Sequence, residues 1–177
     1  PEADRLSPSR FAAEHPGLAA DLRQRLSGLP SNDAILAQTI ARWPVVLGRA
    51  ALTKKQQPDT LAPAPQTPVQ IRGYKPQDVL TTFPDHLTNV ALIEKAAMGF
   101  GYLNSIQDPD SIMRRMPTVI RIGDQMAPTM AVELIRAAIG ANWIETDAVP
   151  EGITGIRIGQ VALPTARDGW VDLHFSA

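Results

Sequence analysis

The chain contains no cysteine. Disulfides, thiolate nucleophiles and cysteine-ligated zinc are therefore excluded. Long apolar runs are missing as well. Each run is broken by a charge, a proline or a glycine, and none approaches the ~20 residues that span a bilayer. The opening stretch PEADRLSPSR has no apolar centre and lacks the form of a signal peptide. Neither sign of charge dominates: 17 Lys and Arg face 18 Asp and Glu, a net charge of −1. That leaves no basic footprint for nucleic acid or anionic lipid. The 3 histidines, His15, His86 and His174, show no metal-ligand spacing. No serine sits in G-x-S-x-G, GFG at 99–101 lacks the third glycine of a dinucleotide loop, and GITGIRIG lacks the Lys-Ser/Thr of a P-loop. Residue chemistry alone describes a domain with no visible active site. Neither an enzymatic activity nor a cofactor is expected.

What is present is ordinary globular composition, 44% hydrophobic and 20% charged over 177 residues, as expected for one domain spanning 1–177. Leu18, Leu22, Leu26 and Leu29 form a helical stripe, the one helix expected in the first thirty residues. SNDAILAQTIARW begins with capping residues and puts Leu36, Ile40 and Trp43 on one face. PVVLGRAAL predicts a buried strand. Residues 53–89, with Pro58, Pro63, Pro65 and Pro68, predict a long surface excursion. Within it VQIRGY predicts a short edge strand and FPDHLTN a turn. NVALIEKAA predicts a helix, and GFGYLN a strand whose glycines mark close backbone approach. RRMPTVIRI reads as one strand. PTMAVELIRAAIGA is the clearest helix, with Ala131, Leu134, Ile135, Ala138 and Ile139 as its core stripe and Gly140 as its end. ITGIRIG, QVALP and GWVDLHF predict short strands, and Asp168-Gly169 predicts a hairpin between the last two. The fold class is α/β: a mixed β-sheet with helices packed on its faces and C-terminal antiparallel hairpins.

The least ordinary stretch is GFGYLNSIQDPDSIMRRMPTVIRIG, residues 99–123. Strand alternation puts Arg114, Met116, Thr118, Ile120 and Ile122 on one face, and Arg115, Pro117, Val119 and Arg121 on the other. The first face is the more apolar, so Arg114 is expected at the rim of the core, where a guanidinium needs a partner. Asp108 and Asp110 are the nearest acids in sequence. One reading is a turn held by an Asp–Arg pair. The other has Arg115 and Arg121 projecting from the open face and holding an anion.

The order of the pieces is distinctive: DRLSP, NDAILAQTIARWPVVLG, IEKAAMGFGYLNSIQDPDSIMRR, APTMAVELIRAA and GWVDLHFSA. It resembles the type-two CHASE family, the cyclase/histidine-kinase-associated sensing extracellular domains, over nearly the whole chain. The most specific match is Gly101, Asn104, Asp108, Pro109, Asp110, Arg114 and Arg115. Ser111 stands where the family has glycine, and a turn without positive φ is therefore expected. The family pattern begins with an apolar strand, which is expected to lie outside this chain. The resemblance implies the extracytoplasmic, periplasmic sensor part of a bacterial inner-membrane receptor. It implies tethering to the membrane by flanking helices outside this chain, and a nucleotide cyclase, histidine kinase or Ser/Thr kinase output. The implied partner is an unidentified small-molecule or protein ligand, with a homodimer possible and no nucleic acid. No catalytic or metal-binding residues come with it. A ligand-independent assembly module is one alternative. A periplasmic hydrolase, with Asp85, His86 and a serine converging, is the other.

Overall fold

The computed structural model describes residues 4, 6–56, 67–75, 79–106 and 109–175. Residues 57–66, the proline-rich centre of the expected excursion, lie outside the described residues, as does Asp108. The chain forms two compact units, Pro1–Val45 with Thr88–Met98, and Val46–Leu87 with Gly99–Ala177.

The first unit is helical: α1 Pro8–Glu14, α2 Ala20–Ser27, α3 Asn32–Ile40 and α4 Ala91–Ala96. Two helices therefore occupy the segment expected to hold one. The first begins on Pro8, whose fixed φ suits a first turn. Ser31 caps α3 by accepting the Ala34 N–H at 3.1 Å. Two distant sequence pieces meet here. Ser7 donates its hydroxyl to Asp4 and accepts the Asn32 N–H at 3.2 Å, so DRLS is tied to the start of NDAILA. The leucine stripe of α2 is not a core face: no residue of that helix is buried. On α3 the buried residues are Ala37 and Ile40, while Leu36, and Trp43 beyond the helix end, are exposed.

The second unit carries the strands. They are β1 Val46–Leu52, β2 Val69–Gly73, β3 Thr82–Phe83, β4 Asp85–Leu87, β5 Gly99–Tyr102, β6 Arg115–Pro117 and β7 Val119–Ile122. After β8 Gln125–Pro128 comes the helix α5, Met130–Ile139. The chain then forms β9 Ile144–Val149, β10 Gly152–Ile158, β11 Val161–Pro164 and β12 Trp170–Asp172. The strand orders are β4-β1-β5, β11-β10-β9-β2, β12-β6 and β3-β7-β8. Parallel pairing joins β1 to β5, β2 to β9 and β3 to β7, and the remaining pairs are antiparallel. The fold is thus α/β with mixed sheets and antiparallel C-terminal strands, as expected. VQIRG is an edge strand, also as expected.

Four details differ from the sequence reading. FPDHLTN is not a turn alone, because Asp85–Leu87 pairs antiparallel with β1. ANWIETDAV carries no strand signal in the sequence reading, yet it forms β9, which has a strand on each side in the largest sheet. Its Ile144, Thr146 and Ala148 are buried while the intervening residues are half-exposed, the two-residue period of a strand. RRMPTVIRI divides into β6 and β7 at Thr118, which gives its N–H (3.0 Å) and hydroxyl (2.7 Å) to the Gly169 carbonyl. Pro117 to Ile120 are all buried, so strand alternation does not hold across the break. Asp168-Gly169 does not make a hairpin of β11 and β12: β11 pairs with β10, and β12 with β6.

The helix α5 departs furthest. Its buried residues are Val132, Glu133 and Arg136, while Leu134 and Ile139 of the expected stripe are exposed. The cause lies in β5. A Cβ on Gly101 would strike the Met130 backbone, and one on Gly99 would overlap Glu133 Oε1. The glycines let the helix settle directly on the strand, with the carboxylate over Gly99. Glu133 and Arg136 then satisfy each other. Arg136 Nη2 donates to Oε1 at 2.7 Å, Thr67 donates its hydroxyl to the same oxygen at 2.7 Å, and Arg136 Nη1 reaches the Ala141 carbonyl. A buried pair is tolerated only when its remaining donors and acceptors are filled in this way.

Candidate functional site

The residues around Pro109 form a local turn. Arg114 holds Asp110 through two parallel hydrogen bonds, Nη1 to Oδ1 at 3.0 Å and Nη2 to Oδ2 at 2.7 Å. The Ile112 N–H adds a third bond to Oδ1 at 3.1 Å. The Arg114 guanidinium first, and the Ile112 N–H second, hold the Asp110 carboxyl below the usual carboxylate range. Both side chains are half-exposed, so Arg114 is not at the core rim. Ser111 has φ 64, the left-handed conformation in which glycine is ordinarily found. The expectation of a turn without positive φ is corrected here: serine keeps the glycine geometry.

Asn104 is placed by strand register. Arg49 pairs with Tyr102 in the parallel β1–β5 ladder, so the next rung would be Ala51 with residue 104. Asn104 makes that rung with its side chain, Oδ1 accepting the Ala51 N–H at 2.6 Å and Nδ2 donating to the Ala51 carbonyl at 2.8 Å. The amide replaces a peptide group and lets the chain leave the sheet without stranding β1 donors.

Arg115 is set by β6–β12 pairing, which places Asp172 opposite it. Its Nη2 donates to both oxygens of Asp168 at 3.1 Å, its Nε lies 3.3 Å from Asp172 Oδ1, and its guanidinium stands 5.5 Å from the Trp170 ring centre. Arg115, Asp168 and Trp170 wall an open cleft of about 390 Å³, completed by residues 79–81 and Ile106. Four segments far apart in sequence meet there, as binding loops on a rigid frame do. Arg121 does not line this cleft. It lies on β7, in a different sheet from Arg115, and Pro117 and Val119 between them are fully buried. Among the described residues, Arg115 and Arg121 therefore do not share one strand face.

Sequence reasoning missed the buried charges, of which a lone arginine and an ion pair stand out. Arg49 is 1% exposed and lies 3.9 Å from the Phe100 ring centre. Its signal was a lone arginine inside an apolar strand. The Glu133–Arg136 pair is the other, and its signal was an acid and a base three apart on an apolar helix. His86 packs edge-on against Tyr102, and the Asp85 carboxylate accepts the N–H groups of His86 and Gln56 at 2.8 Å. His15 stacks on Phe11, and His174 is exposed. Among the described residues no group of three His, Asp or Glu is placed to hold a metal ion, and no helix is long and apolar enough to cross a membrane.

The fold is of the α/β class, with mixed sheets and an open cleft whose wall holds a charge pair and an indole. The family model of the CHASE2 domain matches residues 4–177, and the chain belongs to that family. CHASE2 domains are extracellular sensory domains of signalling receptors, sensory rather than catalytic. No curated protein and no solved structure matches the chain.

Proposed function

We propose that this domain is the periplasmic input of a bacterial inner-membrane receptor with a cyclase, histidine kinase or Ser/Thr kinase output, and that it reads a small molecule in the Arg115 cleft. Family membership supports the sensory part. The observation that carries the site is the convergence of residues 79–81, Ile106, Arg115, Asp168 and Trp170 on one open cleft, with Arg115 and Trp170 brought by the paired strands β6 and β12. Arg115 leads the family's most specific motif into that wall. A ligand that binds two arrangements of these loops unequally shifts their populations, and only that difference in affinity can drive the output. The test is receptor output in cells for the full-length protein and its Trp170→Ala variant. Loss of stimulus response with unchanged membrane insertion and basal output is expected, and an unaltered response removes the cleft from the mechanism.

One observation favours a second reading, ligand-independent assembly. The exposed part of α5, with Leu134 and Ile139, bears no charge because both charged residues of that helix are buried. Charge depletion is a mark of interface centres. Sedimentation of the chain decides: a tight dimer without any added ligand favours assembly.

A further inference from the structure

The charge balance of the Arg115 cleft says what it suits. Arg115 and Asp168 cancel, and Asp172 adds a second acid beside the same guanidinium. A simple anion approaching Arg115 meets two carboxylates that already hold it. A simple cation approaching Asp168 meets the guanidinium. In a small molecule carrying both charges close together, each charge faces its opposite in the Arg115–Asp168 pair and offsets the repulsion the other meets.

The donors and acceptors fit such a molecule. Among the described residues Arg115 makes its hydrogen bonds through Nη2 alone, leaving both Nη1 hydrogens for a carboxylate. Asp168 Oδ1 accepts from Arg115 and from the Trp170 N–H, whereas Oδ2 accepts only from Arg115 and retains capacity for a second donor. The Trp170 indole N–H has no partner among the described residues. Val79, Leu80 and Ile106 supply an apolar wall. At about 390 Å³ the cleft is at the small end of ligand sites, which run from ~300 to ~1,000 Å³.

We propose that the cleft takes a zwitterionic α-amino acid with an apolar side chain. Its carboxylate meets Arg115 Nη1, its ammonium meets Asp168 Oδ2, and its side chain lies against Leu80 and Ile106. This rests on the cleft being the ligand site. The test is calorimetric titration of the 177-residue chain with L-leucine, with leucinamide, which lacks the carboxylate, and with 4-methylpentanoate, which lacks the ammonium. Saturable binding of leucine is expected, with each one-charge analogue weaker by about tenfold or more. Arg115→Gln and Asp168→Asn should weaken leucine similarly while keeping the wild-type circular dichroism, because that pair is half-exposed. No heat with leucine, valine or phenylalanine up to ~10 mM overturns the proposal, as does equal affinity for leucine and 4-methylpentanoate. A null here, together with a lost stimulus response in Trp170→Ala, removes the ligand class and leaves the site. A null with unaltered output removes both.

Discussion

Ser111 holds a backbone that serine seldom takes. A left-handed residue with a side chain costs ~1–2 kcal/mol, and glycine gives back part of that relief through its freer unfolded chain. Ser111→Gly should therefore stabilise the chain by about 0.5–1 kcal/mol, read as a higher denaturant midpoint at unchanged slope. A lower midpoint would mean that the hydroxyl, not the backbone, decides this turn. Beside it, Asp110 should titrate below the ordinary carboxylate value of about 3.9, and should move up toward it in Arg114→Gln, where the Ile112 N–H still lowers it. Its folded pKa is depressed, so its contribution is present above the unfolded pKa and is lost as pH falls through the folded one. Side-chain carboxyl NMR shifts followed from pH 6 downward check this, and an unmoved midpoint in the variant contradicts it. The Asp110–Arg114 pair was legible as a turn because it acts over four residues, whereas Asn104 entered only through the family motif, and its rung on Ala51 was not foreseen. The partners of Arg115 were not, since Asp168 and Asp172 lie 53 and 57 positions away and reach it only through β6–β12 pairing.

At the scale of elements, α5 is the instructive case. Its apolar period points to Leu134 and Ile139, but the glycines of β5 accept the face bearing Glu133 and Arg136 instead. Periodicity weighs hydrophobicity and is blind to a neighbour that has no side chains. Glu133→Gln leaves the Arg136 charge buried without its counter-ion and should cost about 3–5 kcal/mol. Leu134→Ser, on the stripe the sequence favours, should stay within about 0.5 kcal/mol of wild type, as a surface change does. Chemical denaturation of the two variants ranks them, and the reverse order would refute the observed face. The division of RRMPTVIRI was hard to read for a related reason. Pro117, which has no N–H to give a ladder, is the only local sign, and the break is fixed by the distant Gly169 carbonyl, to which Thr118 gives both its N–H and its hydroxyl.

At the scale of the molecule, the order of motifs identified the family, and the mixed α/β class followed from alternating patterns. Which residues wall the cleft did not follow, because it is assembled from four segments whose proximity is set by sheet pairing. The central claim is that this CHASE2 domain receives a signal through that cleft. Hydrogen exchange of the chain, with and without the low-molecular-weight fraction of a bacterial periplasmic extract, tests it most directly. The account predicts slowed exchange in residues 79–81 and 168–170 and around Ile106 and Arg115, abolished in Trp170→Ala. Unchanged exchange throughout these segments, or protection confined to the exposed face of α5, would contradict it.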